Sequence, residues 1–321
     1  MKGVYFGHYE DFEAITGVSV IIFPDGAVAS CDVRGSAPGT RETSLLEPTK
    51  MIRKIYGICL AGGSAFGLSS ASGVMRYLRE KNIGFETGFG KVPIVPSAII
   101  FDLGIGKSDI FPDEEMGYKA CLNLSEEPHE GSIGAGTGAT VGKILGMKFS
   151  MKSGVGFYSE EIHGVKISAF SVVNAFGDIY EDGKIIAGAR KLIGKGFLNT
   201  ENYLKTFLGK LTMNQIENTT LVVVLTDAKI DKEEAKKISE MAHDGIARAI
   251  KPVHTMLDGD IVFTVSTCLN KDLDLTTLGT YAAKVVEKSI IRAVKVSKSL
   301  GGIPSYSDLK DSIQEDNQES S

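Results

Sequence analysis

Two short stretches put groups capable of acyl chemistry at the starts of apolar strands. Glu217-Asn218-Thr219-Thr220 runs directly into Leu221-Val-Val-Val-Leu225, and Leu257-Asp258-Gly259-Asp260 runs directly into residues 261–266. A threonine where a weakly patterned connection enters a core strand is a candidate nucleophile, although a β-branched residue that simply begins a strand fits the same letters. Asp258 and Asp260 stand two apart, so on an extended chain both carboxylates project to one side. Carboxylates that close shift each other's ionisation, an arrangement suited to a nucleophile or a shared proton; the plain alternative is a solvated turn with two exposed aspartates.

Other chemistries lack their patterns. Gly134-Ala-Gly-Thr-Gly-Ala139 matches a dinucleotide fingerprint by letter, but Ser125-Glu-Glu-Pro-His-Glu130 before it is no strand. A phosphate loop ending at Lys143 would need glycine at Thr137 and a hydroxyl at Ile144. Two readings of this segment remain, a turn for tight packing or a backbone cradle beside an active site. The four cysteines and five histidines show neither C-x-x-C nor H-x-x-x-H spacing, so no metal, disulfide frame or cofactor is expected. Glycine is the compositional outlier, 37 of 321 residues against a usual ~7%.

The elements that must position these groups follow from periodicity. Residues 18–23 read as a strand ended by Pro24-Asp25-Gly26, and 31–43 as an ordered loop. Leu68, Ala71, Val74 and Leu78 recur at helical spacing over 68–80. Residues 91–103 read as a broken or edge strand, 109–130 as an exposed acidic stretch, and 165–173 as a strand. A polar, weakly patterned connection covers 181–217. The run 221–225 is a strand buried on both faces. Asp231 with Glu234 predicts a capping box for a helix striped by Ala235, Ile238, Ala242, Ile246 and Ala249 and stopped by Pro252. A second long helix is expected over 277–300, and the acidic tail 308–321 is expected to lack structure. Strands and helices without steady βαβ alternation imply a layered α/β or α+β sandwich.

In the same order along residues 17–301, six motifs resemble the P1 family peptidases. They are Asp32-Val-Arg-Gly-Ser-Ala-Pro-Gly-Thr-Arg-Glu-Thr43, Gly62-Gly-Ser-Ala-Phe-Gly-Leu68, Gly134-Ala-Gly-Thr-Gly-Ala-Thr-Val-Gly-Lys143, Asn218-Thr-Thr220, His243-Asp-Gly-Ile-Ala-Arg-Ala249 and Asp258-Gly-Asp260. That family includes self-processing D-aminopeptidase, β-peptidyl aminopeptidases and 6-aminohexanoate-oligomer hydrolases. The resemblance implies an α+β fold, a four-layer α-β-β-α sandwich like that of ornithine acetyltransferases and of the N-terminal-nucleophile hydrolase type. It implies one layered catalytic domain over 1–307, self-cleaved between Asn218 and Thr219 into 1–218 and 219–321. Thr219 would be the nucleophile, as in the nylon-oligomer branch, with Asp258 and Asp260 as acidic partners, Lys143 nearby and Asn174 stabilising the oxyanion. The aminopeptidase branch carries serine and glutamate where this chain has Asp258 and Asp260, and the segment before Gly17 is shorter than in many relatives. Relatives assemble as homotetramers, so a homo-oligomer is implied.

The chemistry agrees with that mechanism. An internal threonine hydroxyl is a weak nucleophile, but cleavage before it would expose an α-amino group of pKa about 7.7–8.0, able to act as its base. Composition narrows the partners. Thirty-five basic against 40 acidic residues give a net charge of −5 with no basic block, which excludes a phosphate-backbone footprint and hence nucleic acid. No apolar run approaches the roughly 18 residues of a membrane span, and the polar N-terminus suits no signal peptide. The expectation is a cytoplasmic, cofactor-free hydrolase of small peptides or peptide-like amides. The alternatives are an acyltransferase with the same acyl intermediate, or a non-catalytic protein of the same fold.

Overall fold

Strands that begin or end at the candidate residues lie side by side at the centre of one large sheet. The computed structural model describes residues 1–208 and 218–310 and has a mixed α+β architecture. In chain order the sheet strands are β1 (Tyr5–Asp11), β2 (Thr16–Val33), β3 (Thr40–Arg41), β4 (Lys54–Ala61), β5 (Ser97–Ile99), β6 (Val155–Ile162), β7 (Val165–Asn174), β8 (Thr219–Thr226) and β9 (Ile261–Ser266). They pair in the order β6-β7-β8-β9-β2-β4-β5-β3, with β1 also on β2. Helices α1 (Ser70–Glu80), α2 (Glu114–Leu122), α3 (Lys232–Ala249) and α4 (Leu275–Lys295) pack outside the sheet.

Strand β2 joins the two halves of this sheet. Residues 16–22 pair with β1, and residues 28–33 pair antiparallel with β9. The strand therefore does not stop at Pro24-Asp25-Gly26, as the sequence suggested. A register shift between Ile22 and Ala27 absorbs those residues, and a bulge accommodates a proline that has no N–H to donate. Cys31, Asp32 and Val33, expected in a loop, continue the strand.

Apolar alternation assigns the layers. Val222 and Val224 of β8 face α3 and α4, packing with Ile238, Ile246, Leu278 and Ile290. Leu221, Val223 and Leu225 point the other way, into a central cluster with Ile21, Phe23, Ile58 and Leu60 of β2 and β4. The opposite face of β2 and β4, through Val18, Val20 and Cys59, meets Ala71, Val74 and Leu78 of α1 and Ala120 of α2. The 221–225 run is thus buried on both faces, as its sequence requires.

Several elements differ from expectation. The acidic 109–130 stretch contains α2, whose first turn carries Glu114 and Glu115 where the helix dipole favours them, and Asp113 caps it through a 2.9 Å bond from Met116 N–H. Within 181–217, strand Lys184–Ala187 pairs with Asp178–Glu181, and Thr200–Leu204 is a short helix; residues 209–217 lie outside the described residues. The capping box at Asp231 and Glu234 is present, and α3 ends at Ala249. Helix α4 starts earlier than expected, capped by Asp274, and ends at Lys295 rather than near Leu300. Asp308, placed in an unstructured tail by composition, accepts bonds from Ser305 N–H and Oγ at 3.0 and 3.1 Å, and Leu309 packs on the core. The remainder of that tail, 311–321, lies outside the described residues.

Candidate active site

Thr219 opens β8 between two neighbours. Across the antiparallel ladder it faces Asn174, the last residue of β7, while β9 runs parallel on the other side. The segment before β9 extends that parallel ladder by two bonds. Asn218 N–H donates to Leu257 O at 2.8 Å, and Gly259 N–H donates to Asn218 O at 2.7 Å. Thr219 Oγ1 donates to the same Asn218 carbonyl oxygen at 2.5 Å. This carbonyl therefore receives two donors at once. Gly259 permits the approach: a Cβ there would lie 2.9 Å from Thr219 Oγ1 and 2.6 Å from Ala37 O.

The two aspartates take different partners. Asp260 Oδ1 accepts from Thr220 N–H at 2.6 Å, one residue beyond Thr219. Its Oδ2 accepts from His254 twice, from Nδ1 at 2.8 Å and from the backbone N–H at 3.2 Å. Asp258 Oδ2 accepts from Thr255 N–H and Oγ1 at 2.9 and 2.6 Å. Burial, reinforced by the Asp260 charge, pushes the Asp258 carboxyl up to about 6, against the pull of the donors at Thr255 and Phe176. The single hydroxyl proton of Thr219 is spent on Asn218 O, so neither carboxylate receives it.

Lys143 and Asn174 form the other wall. Lys143 Nζ donates to Asn174 Oδ1 and O at 2.7 and 2.9 Å. Asn174 Oδ1 also accepts from Thr140 N–H at 3.1 Å, and one hydrogen of its Nδ2 goes to Phe101 O at 2.9 Å. Burial pulls the Lys143 amine down to about 7, although Asp258 and Asp102 favour its charge. Asp102 braces this wall from below, accepting from Gly63 N–H at 2.6 Å and Thr16 Oγ1 at 2.8 Å.

The glycine-rich segment serves packing. A Cβ at Gly136 would meet the Gly154–Val155 backbone, and one at Gly138 would meet Asp102. The fully buried Lys152 Nζ donates to Ala139 O and Ser153 O at 2.7 Å, and to Gly136 O at 3.3 Å, fixing the turn that delivers Thr140 N–H to Asn174.

All six sequence candidates, Lys143, Asn174, Asn218, Thr219, Asp258 and Asp260, are buried polar residues. A cavity of about 650 Å³ lined by Arg76, Arg79, Phe89 and Lys91 includes none of them. Sequence reasoning missed Gly259 as a donor and His254 altogether; the signal for both was proximity to the Asp258-Gly-Asp260 motif. Among the described residues no three His, Cys, Asp or Glu side chains are grouped to hold a metal ion, and no helix is long and apolar enough to cross a membrane.

This architecture is shared with solved aminopeptidases. The L-aminopeptidase D-Ala-esterase/amidase of Ochrobactrum anthropi, described as a variant of the Ntn hydrolase fold, has a TM-score of 0.71 at 17% identity, covering 99% of this chain and 93% of that one. At the sequence level, the uncharacterized aminopeptidase Rv1333 of Mycobacterium tuberculosis is 35% identical over 96% of both chains. A 6-aminohexanoate-oligomer endohydrolase of Kocuria sp. is 30% identical over 90% of this chain and 82% of its own. The profile of Peptidase family S58 matches residues 1–306, and the chain belongs to that family, the P1 peptidases its motifs resemble. It is accordingly a hydrolase of peptide or amide bonds, and the non-catalytic reading falls away.

Proposed function

We propose that this protein is a self-processing N-terminal-nucleophile amide hydrolase that cuts itself between Asn218 and Thr219 and then turns over small peptides or peptide-like amides. The observation that carries the reading is the doubly engaged Asn218 carbonyl, with Thr219 Oγ1 at 2.5 Å and Gly259 N–H at 2.7 Å from its oxygen. Oγ1 adds to the Asn218 carbonyl carbon, and Gly259 N–H stabilises the oxyanion. The C–N bond then breaks, Thr219 nitrogen takes up the proton lost by Oγ1, and an ester links Asn218 to the threonine side chain. Water hydrolyses the ester, releasing the Asn218 carboxylate and a free Thr219 amine and hydroxyl.

In turnover the new α-amino group accepts the hydroxyl proton, and Thr219 forms an acyl-enzyme with the substrate. Asp258 and Asp260 hold the charged and hydrogen-bonded surroundings of this pair. Lys143 orients Asn174, whose second amide hydrogen is the oxyanion donor for substrate. The sheet, folded over at β2 with a helix pair outside each half, supports reading the fold as a four-layer α-β-β-α sandwich. Exposed Met51, Phe66 and Phe89 support a homo-oligomer such as a tetramer. The compartment we assign is the cytoplasm, with no nucleic-acid, membrane or cofactor partner.

A panel of amino-acid anilides, β-peptides and ω-amino-acid oligomers tests the function. The wild type is expected to hydrolyse at least one class, with Thr219→Ala slower by about a thousandfold or more. Undiminished hydrolysis by Thr219→Ala would assign the chemistry to another residue.

A further inference from the structure

His254 stands outside the machinery described so far, yet it makes two of the three hydrogen bonds to the Asp260 carboxylate. The geometry that allows this is unusual. His254 has φ +53°, a left-handed conformation that costs a β-carbon residue strain, and it turns both the backbone N–H and the ring Nδ1 toward the same carboxylate oxygen. A carboxylate only accepts here, so Nδ1 carries the proton of this bond, and the ring's other nitrogen is Nε2. That Nε2 is buried with no partner.

His243 of α3 closes the ring's other side. The two imidazoles meet edge to face with centroids 4.8 Å apart. His243 Nε2 faces Asp32 O at 3.0 Å, so it donates there and its own Nδ1 is a second buried nitrogen without a hydrogen-bond partner. Burial holds His243 near 4, neutral at ordinary pH. Behind it, Asp32 is paired with Arg34 and Lys236 at 2.9 and 3.0 Å, which anchors the stack at the end of β2.

We infer that His254 is a positioning residue: its Nδ1–H fixes one oxygen of Asp260, so that the other oxygen holds Thr220 N–H and thereby the Asn218–Thr219 peptide in line for attack. This rests on the reading of Thr219 as nucleophile. Without the ring donor, Asp260 keeps only the two backbone N–H bonds, the longer of them at 3.2 Å, and its orientation toward Thr220 is held less firmly. The cost then falls on the reaction geometry rather than on substrate binding.

The test compares His254→Ala, which removes the donor, with His254→Asn, whose side-chain NH₂ branches from the same position as Nδ1 and tolerates the left-handed backbone. Self-cleavage rate, kcat and KM are measured on all variants, with melting curves to establish that each is folded. His254→Ala is expected to slow self-cleavage and lower kcat by about tenfold or more, with KM within about twofold, the scale of one charge-assisted hydrogen bond. His254→Asn is expected to recover most of both rates. Wild-type rates in His254→Ala, or a folded His254→Asn as slow as His254→Ala, would overturn the inference. Thr219→Ala, run in parallel, separates failure of this inference from failure of the nucleophile assignment: a Thr219→Ala chain that still cleaves and hydrolyses contradicts the latter alone.

Discussion

In the proposed mechanism, self-cleavage is concentrated in the contact between one carbonyl and two donors. Gly259 supplies one donor and, by lacking a side chain, makes room for the other. Gly259→Ala would drive a Cβ toward Thr219 Oγ1 and Ala37 O and displace the backbone N–H from Asn218 O. It is expected to fold but to self-cleave about a hundredfold more slowly, the usual scale for a lost oxyanion donor, read as persistence of the full-length band on a denaturing gel. Cleavage at the wild-type rate would remove Gly259 from the mechanism. That Thr219, Asp258 and Asp260 stand at the starts of core strands was legible in the sequence, because each abuts an apolar run, whereas their roles were implied only by the family resemblance. Gly259 was not, because its donor role exists only once β8 and β9 pair in parallel. His254 was equally silent, since a left-handed turn that folds it back on Asp260 leaves no periodicity.

At the scale of elements, the site is held by buried polar braces between strand ends. Asp102, just beyond β5, ties the start of β2 through Thr16 to the turn after β4 through Gly63, beneath the wall that holds Asn174. Burial pushes its carboxyl up to about 6, above the ordinary value near 3.9. Between these two values the folded chain keeps a proton that the unfolded chain has released, so stability falls as pH rises through that window, by roughly 3 kcal/mol. Asp178 and Asp258 shift in the same direction. In an uncut Thr219→Ala background, Asp102→Asn is expected to shrink the difference between urea midpoints at about pH 4.5 and about pH 6.5. An unchanged difference would mean that Asp102 does not titrate there. The capping box at Asp231 and the 221–225 strand were readable because their signals are local. The β2 bulge, helix α2 and the Asp178–Ala187 hairpin were hidden because tertiary pairing overrode a Pro-Asp-Gly turn, an acidic composition and a weak pattern.

At the scale of the molecule, cleavage would fall inside a shared core. Strand β8 lies between β7 and β9 and packs on both faces, so the fragment starting at Thr219 would contribute its central strand and both α3 and α4. Burying the five apolar side chains of residues 221–225 at about 1.5–3 kcal/mol each contributes on the order of 10 kcal/mol, which would hold the two pieces together without a covalent link. The family resemblance implies the cut and the apolar run 221–225 already implied burial on both faces, whereas the partners of that strand are visible only in the stacked apolar clusters. The most direct measurement is the intact mass of the denatured chains from the gel-filtration peak of purified wild type. The account predicts one co-eluting peak containing a chain that ends at Asn218 and a chain that begins at Thr219, with Thr219→Ala giving one uncut chain. An uncut wild type that hydrolyses amides, or a cut at any other bond, would contradict it.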